Sequence, residues 1–287
     1  MRRTWAGTAA LVVTAAMTAA TTAGCDGGSG APLVVEGTAP AVPYSGPLDV
    51  PARETDGRGA AALHLASGAA GRALECDGPI FEGGGPDGWN ESDGGGSPEE
   101  GLRLFFDMYE PSLPDHGYRV ERRAAGRVLY SFDVGGRTKV AVVVAEDQKD
   151  RPGWGPETDA ACDPAELPAR DAAELGWEVW KDRAGKRVPV SRLSSSSGAE
   201  HCGWQSARIL DVDGHEYARD PGGVLRGDGL LEEPYRPDVP MPAGARDTGY
   251  HREGLRLWLT GDRATAYVRT SRGVEAWPSV KDGTGCH

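Results

Sequence analysis

The chain contains no run of about 20 strongly apolar residues, the length that a helix needs to cross a bilayer. Its one apolar stretch, around Ala9 to Ala20, is short and rich in Ala and Thr. Basic residues are outnumbered, 31 Lys and Arg against 43 Asp and Glu, for a net charge of −12. Nucleic acid and anionic lipid surfaces are therefore not expected as partners. Aromatic side chains are few at 7 %, although 8 of them are Trp, and Gly (42) and Pro (21) are plentiful. Such a composition describes a loop-rich chain whose small cores form around a few large side chains.

Chemical signatures are missing too. No G-x-S-x-G occurs, which removes the serine-hydrolase elbow. There is no C-x-x-C and no finger-type pairing of Cys with His, so neither a metal nor a cofactor is expected. His215-Glu216-Tyr217-Ala218-Arg219 begins like the zinc-protease helix but lacks the second His, and it reads as strand. Asp211-Val212-Asp213-Gly214 begins like a calcium loop, yet its twelfth position is Gly222. Gly83-Gly84-Gly85 and Gly94-Gly95-Gly96 lack the lysine of a phosphate loop, and nearby Asp87, Glu91 and Asp93 would repel phosphate. The adjacent acids Glu99-Glu100 and Glu232-Glu233 do not form a glycosidase pair. No catalytic residue is assigned.

What is present begins at the N-terminus. Arg2-Arg3, a short apolar run and then Thr22-Ala23-Gly24-Cys25 describe a secretory leader. The small-small-Cys ending resembles the lipobox of bacterial lipoproteins, although Thr22 stands where that motif usually has Leu. The resemblance implies diacylglycerol on Cys25, cleavage after Gly24 and a cell-membrane location on the extracytoplasmic face. Two acyl chains suffice for stable anchoring, at about 0.8 kcal/mol per buried methylene. Ordinary cleavage and free secretion is the alternative. Loss of Arg2 and Arg3 with the leader would move the net charge from −12 to −14.

The cysteines are Cys25, Cys76, Cys162, Cys202 and Cys286. An odd count in an exported chain is resolved if Cys25 carries lipid, leaving four for two disulfides. Three connectivities are open. Cys76–Cys162 with Cys202–Cys286 is favoured because it divides the chain into two consecutive loops of about 85 residues, each bridge contributing about 4.5 kcal/mol in the chain-entropy model.

The expected fold class is α+β, in four segments. Residues 1–24 are the leader, and 25–57 the lipidated cysteine with a Gly-, Ser- and Pro-rich tether. Residues 58–165 form an α+β domain and 166–287 a β-rich domain. A short helix is expected over 59–66, ended by Gly68 and Gly71. Ser97-Pro98-Glu99-Glu100 is a capping box, and Leu102, Phe105, Phe106 and Tyr109 follow at helical spacing. Strands are expected at 118–121, 128–134 and 139–144, the last two joined by Gly135-Gly136. A connector over 163–176 carries a short helix from Pro168. In the second domain, hairpins are expected for 177–180 with 186–190, for 207–212 with 215–217, and for 255–260 with 264–268, followed by a strand near 274–277. Ser194–Ser197 reads as a flexible loop. Both halves run Cys, Gly-Tyr, Glu, hairpin, Trp, Cys, an order consistent with tandem duplication.

His201, Trp204 and Gln205 flank Cys202 and are a candidate recognition patch, with Trp packing over a disulfide as the structural alternative. His201-Cys202-Gly203-Trp204-Gln205-Ser206, Tyr217-Ala218-Arg219-Asp220-Pro221 and Asp247-Thr248-Gly249-Tyr250, with Trp277 and Cys286, resemble uncharacterised secreted lipoproteins of high-GC Gram-positive bacteria. That resemblance implies localisation and carries over no activity, cofactor or site residue. The expectation is a non-enzymatic envelope lipoprotein, a binding or structural module held to the membrane through Cys25, with a protein or envelope polymer as its unnamed partner. The alternatives are an extracytoplasmic hydrolase acting on envelope material, and an accessory subunit bearing a large apolar patch. A pocket gathering two or more of His201, His215, His251, Glu216 and Asp211 would favour the enzyme.

Overall fold

Two short helices, α1 (Ala60–Ala66) and α2 (Gly68–Ala73), are the first elements of the described chain, separated by Ser67. Gly68 adopts φ +48°, and a Cβ there would lie 2.5 Å from the Val50 carbonyl oxygen, so only glycine turns this corner. Gly71, expected to end the first helix, instead lies buried inside α2. It faces Ser67 and Ile80, where a side chain would collide.

In this computed structural model the described residues are 42–281, apart from 56, 58, 86–88, 91 and 110–112. The leader, Cys25, Pro111 and Cys286 lie outside them. All described residues belong to one compact unit.

Next come β1 (Ile80–Gly84), α3 (Pro98–Tyr109), β2 (Tyr118–Ala124), β3 (Arg127–Val134), β4 (Arg137–Gln148) and β5 (Arg151–Cys162). The strands form an antiparallel sheet in the order β1-β5-β4-β3-β2. Ser97 caps α3 as its sequence requires, its Oγ accepting from the Glu100 N–H at 3.2 Å. The Glu100 carboxylate reaches back to the Gly96 N–H at 2.6 Å, one residue before the usual capping-box partner. Leu102 and Phe105 are buried against Tyr118, Tyr130, Phe132, Val140, Val142 and Val144. On the other face Leu48, Ala69, Ala70 and Ala73 meet Leu129, Ala141, Val143 and Ala160. Helices thus cover both faces of the sheet, which is why β4 reads as a continuous β-branched run and not an alternating one.

Strand β5 escaped sequence reading because Pro152 and Pro156 argue against an interior strand. The ladder absorbs them through register shifts opposite Val144 and Gln148. Gln148 Nε2 donates to the carbonyls of Gly155 and Pro156, both at 3.0 Å. Cys162, at the end of β5, is disulfide-bonded to Cys76, Cα–Cα 5.3 Å. Cys202 is disulfide-bonded as well, and its partner lies outside the described residues.

The chain continues through α4 (Ala169–Glu174) into β6 (Glu178–Val179), β7 (Leu193–Ser197), β8 (Arg208–Val212) and β9 (His215–Arg219). After α5 (Val224–Gly227) follow β10 (Arg246–Arg252), β11 (Leu255–Leu259), β12 (Thr265–Arg269) and β13 (Val274–Pro278). These strands make two antiparallel sheets, β6-β7-β8-β9 and β10-β11-β12-β13. Backbone bridges join Lys181 to His251 and Tyr217 to Ser279, so the eight strands close into a ring that leaves few free edges. Trp180, Leu193, Leu210, Tyr217, Leu257, Val268 and Trp277 fill it.

Ser194–Ser197 is therefore an interior strand and not a flexible loop. Its serines satisfy buried partners: the Trp180 indole donates to Ser195 Oγ at 3.1 Å, and Ser195 Oγ donates to Glu178 at 2.6 Å. The expected hairpin of 177–180 with 186–190 contracts to one bridge, Lys181 with Arg187. The other expected hairpins form, with turns at Asp213-Gly214 and across Gly261-Asp262. Gly117-Tyr118 stands where β2 begins and Gly249-Tyr250 within β10. Each opens a meander of four antiparallel strands whose fourth carries Trp154 or Trp277.

Asp163 ties the first sheet to the chain that follows. It is buried, and its carboxylate accepts from the N–H groups of Ala165, Val190 and Ser191 and from the Ser191 hydroxyl. Among the described residues no helix is long and apolar enough to cross a membrane. The exposed large apolar side chains among the described residues are Val42, Leu65 and Met108, on three separate segments.

Candidate binding cleft

At one rim of the ring, β9 and β13 meet beneath the loop that spans residues 220–238. They enclose a cavity of about 610 Å³ bordered by Arg219, Arg226, Tyr235, Asp238, Arg272 and Glu275. An adjoining hollow of about 300 Å³ shares Arg219, Arg272 and Glu275 and extends toward Arg208 and Thr270.

The floor of the cleft is held by a buried ion pair. Glu275 is buried, and its Oε2 accepts from Arg219 Nε at 2.8 Å and from the indole of buried Trp277 at 3.0 Å. That hydrogen bond to Glu275 holds the Arg219 guanidinium above its ordinary value. Arg219 also lies 5.8 Å from the centre of the Tyr235 ring, a cation–π distance. Burial, reinforced by the Glu275 charge, pushes the Tyr235 phenol up to about 12. Tyr235 is therefore a neutral hydroxyl at any physiological pH.

The loop above is pinned by Asp220, itself buried, whose two oxygens accept from the N–H groups of Val224 and Arg226, each at 2.9 Å. This contact fixes α5 and presents Arg226 at the rim. Arg272 approaches from the turn between β12 and β13. Both side chains are exposed, and neither guanidinium makes an ion pair with a described residue. Asp220 is occupied by backbone donors and Glu275 by Arg219. The cleft is left with two uncommitted guanidinium groups opposed by Asp238. Such forks match planar carboxylate or tetrahedral phosphate groups.

The patch expected around Cys202 is assembled differently. His201 lies exposed on a single 3-10 turn, Glu200–Cys202. Trp204 packs against Ala207, Ala218, Leu225, Leu230 and Leu231, and its indole donates to Asp228 at 2.8 Å. Gln205 Nε2 donates to the Glu200 carbonyl at 3.2 Å. Trp204 and Gln205 thus hold the Cys202 corner together. Of His201, His215, His251, Glu216 and Asp211, His251 borders a hollow of about 340 Å³, beside Trp177, Lys181 and Glu253.

His215 and Ser279 do meet, Nε2 to Oγ at 3.0 Å. Ser279 is buried, and its hydroxyl also faces the carbonyls of Arg263 and Ala264 at 3.2 and 3.0 Å. A hydroxyl aimed at two carbonyl acceptors donates its proton to them, so the imidazole has no proton to take from it. This is the geometry of a strand-bridging contact and not of an activated nucleophile. Glu216 and Asp211 stand opposite each other on β9 and β8. Surrounding protein first, and the Asp211 charge second, raise the Glu216 carboxyl above its ordinary value.

The cleft was not legible beforehand. Arg219 and Glu275 are far apart in the chain, and the only local signal was the loop-forming richness of Gly and Pro over 225–244. Compared with protein-family models, with curated proteins and with solved structures, the chain matches none.

Proposed function

We propose that the chain is a lipid-anchored binding protein of the extracytoplasmic face of the cell membrane, whose cleft takes a carboxylate- or phosphate-bearing ligand. The observation that carries the reading is the pair of uncommitted arginines, Arg226 and Arg272, above the buried Arg219–Glu275 pair. In a chain of net charge −12, two guanidinium groups in one concavity without an ion pair among the described residues form a local anion site that the overall charge opposes. The Tyr235 hydroxyl is bonded to Glu275 and Arg219 and so braces the floor, and the free face of its ring suits a sugar or a hydrocarbon segment of the same ligand.

The leader and Cys25 supply the anchor in this reading. The tether in this reading ends before Leu48, which is buried against the first sheet and not part of a spacer, and two packed modules follow, one closed by Cys76–Cys162 and the other by Cys202–Cys286. Cys202 is bonded, and Cys76 and Cys162 are taken by each other. If Cys25 carries lipid, Cys286 is the partner that remains. The matching strand order of the two meanders supports reading the modules as a duplicated unit.

Fluorescence anisotropy with labelled polygalacturonate and inorganic polyphosphate tests the cleft. The wild-type protein is expected to bind one of them with affinity that falls as salt rises, and the R226A/R272A double variant to bind at least about tenfold more weakly. Binding that the double variant retains in full would refute the site. Intact mass of membrane-extracted protein tests the anchor separately, and an unmodified Cys25 would end it.

A further inference from the structure

Apart from the residues of the arginine cleft, the turn before β2 and the helix α4 bring a histidine and two carboxylates together. His116, Asp171 and Glu174 each offer one ligand atom, and these atoms all lie within 4.8 Å of one another. His116 Nε2 stands 3.7 Å from Asp171 Oδ1. The three side chains line a cavity of about 340 Å³ whose walls are Phe106, Leu113 and Leu175 and whose mouth also carries Asp107 and Asp115.

We propose that this cluster is a binding site for a divalent transition-metal ion of the zinc class, with His116, Asp171 and Glu174 as its protein ligands. Asp171 is the anchor of the assignment. Its side chain is only 9 % exposed, it faces the cavity, and no described residue donates a hydrogen bond to its carboxylate. A largely buried carboxylate without donors keeps little of its hydration, and a metal ion is a partner that compensates the loss. The local charge agrees: four carboxylates border the cavity and the lining holds no Lys or Arg. Arg170 reaches only Glu174, at Oε1, which leaves the second oxygen of that carboxylate available.

The backbone supplies the arrangement. Asp171 and Glu174 are three residues apart on α4 and so share a face. The His116 ring is held edge-on by Phe132, with centroids 6.1 Å apart, which aims Nε2 at Asp171. An edge of a zinc tetrahedron is about 3.3 Å, given bonds of about 2.0 Å. Asp171 and His116 are already near that distance, and half-exposed Glu174 closes the set by a side-chain rotation. The imidazole is the selective element, since carboxylates alone suit Ca²⁺ and Mg²⁺ while a nitrogen donor favours Zn²⁺. Three protein ligands leave a fourth position open toward the cavity.

Isothermal titration of the EDTA-stripped full-length protein with ZnCl₂ near neutral pH tests the site. One Zn²⁺ per chain is expected, with affinity falling at least about tenfold in H116A and in D171N. Because Asp171 is buried, circular dichroism accompanies D171N, while H116A changes a half-exposed residue and keeps the test valid if D171N misfolds. H251A, which alters a histidine elsewhere, is expected to bind as wild type. Zinc binding that H116A retains in full overturns the proposal. So does a wild-type protein that takes up no zinc, or one that takes CaCl₂ in preference.

Discussion

Ser195 is the residue that best explains why a run of four serines became a strand. Its single hydroxyl accepts from the buried Trp180 indole and donates to Glu178, whose carboxylate also meets Arg208 and Arg252. The chain of contacts lets an indole sit at the centre of the ring with its N–H satisfied. Replacing Ser195 by Ala removes the acceptor but not the need for one. S195A is therefore expected to destabilise the protein by about 1–3 kcal/mol in urea unfolding, with little change in fold by circular dichroism. An unchanged urea midpoint would show that the indole finds another acceptor. Asp163 and Asp220 act in the same manner on backbone N–H groups, each fixing a loop that has no ladder of its own.

At the scale of elements, the β8–β9 hairpin carries a defect that its turn chemistry overrides. Asp213-Gly214 adopts φ +53° and +80°, the two left-handed positions that a tight hairpin turn demands. That turn fixes a register in which Asp211 and Glu216 face each other as like charges. Burial first, and the facing Asp211 charge second, make the Glu216 carboxyl bind its proton more tightly in the folded chain than its ordinary value of 4.5. The folded state then holds more protons than the unfolded one between 4.5 and the raised value, and stability falls as pH rises through that window. E216Q is expected to stabilise the protein at neutral pH by about 0.2–1 kcal/mol. The gain should vanish below pH 4.5, where both states of the wild type are protonated. Thermal melts of the pair across that range decide the matter, and a gain independent of pH would mean that charge is not its source.

For the whole molecule, the Cys76–Cys162 bridge closes the five-stranded sheet by joining the segment just before β1 to the end of β5, across a sequence separation of 86 residues. Around it, buried Lys139 meets Glu166 at 2.5 Å and the Glu75 carbonyl at 2.9 Å. A C76S/C162S variant is expected to lose about 2–5 kcal/mol in denaturant unfolding while keeping its strand content. Equal midpoints for variant and wild type would mean that the sheet stands without its staple. Glu166 also lies near both sulfurs, yet bonded sulfurs cannot serve as metal ligands. The only other cluster of metal-ligating groups among the described residues is the one at His116.

Local chemistry was enough to read α3, its serine cap and the Gly-Gly and Asp-Gly hairpins, because caps and tight turns depend on residues within four positions of each other. Cysteine spacing was enough to favour Cys76–Cys162 among the open pairings. Strands β5 and β7 needed the tertiary structure: their Pro and Ser residues disfavour strand in isolation, and only neighbours on both sides, with Gln148, Trp180 and Glu178 satisfying the polar groups, make them stable there. The arginine cleft and the His116 cluster were beyond sequence reading for a related reason. Arg219 meets Glu275, and His116 meets Asp171, across long stretches of chain, and no local pattern records which distant side chains a folded sheet will bring within reach.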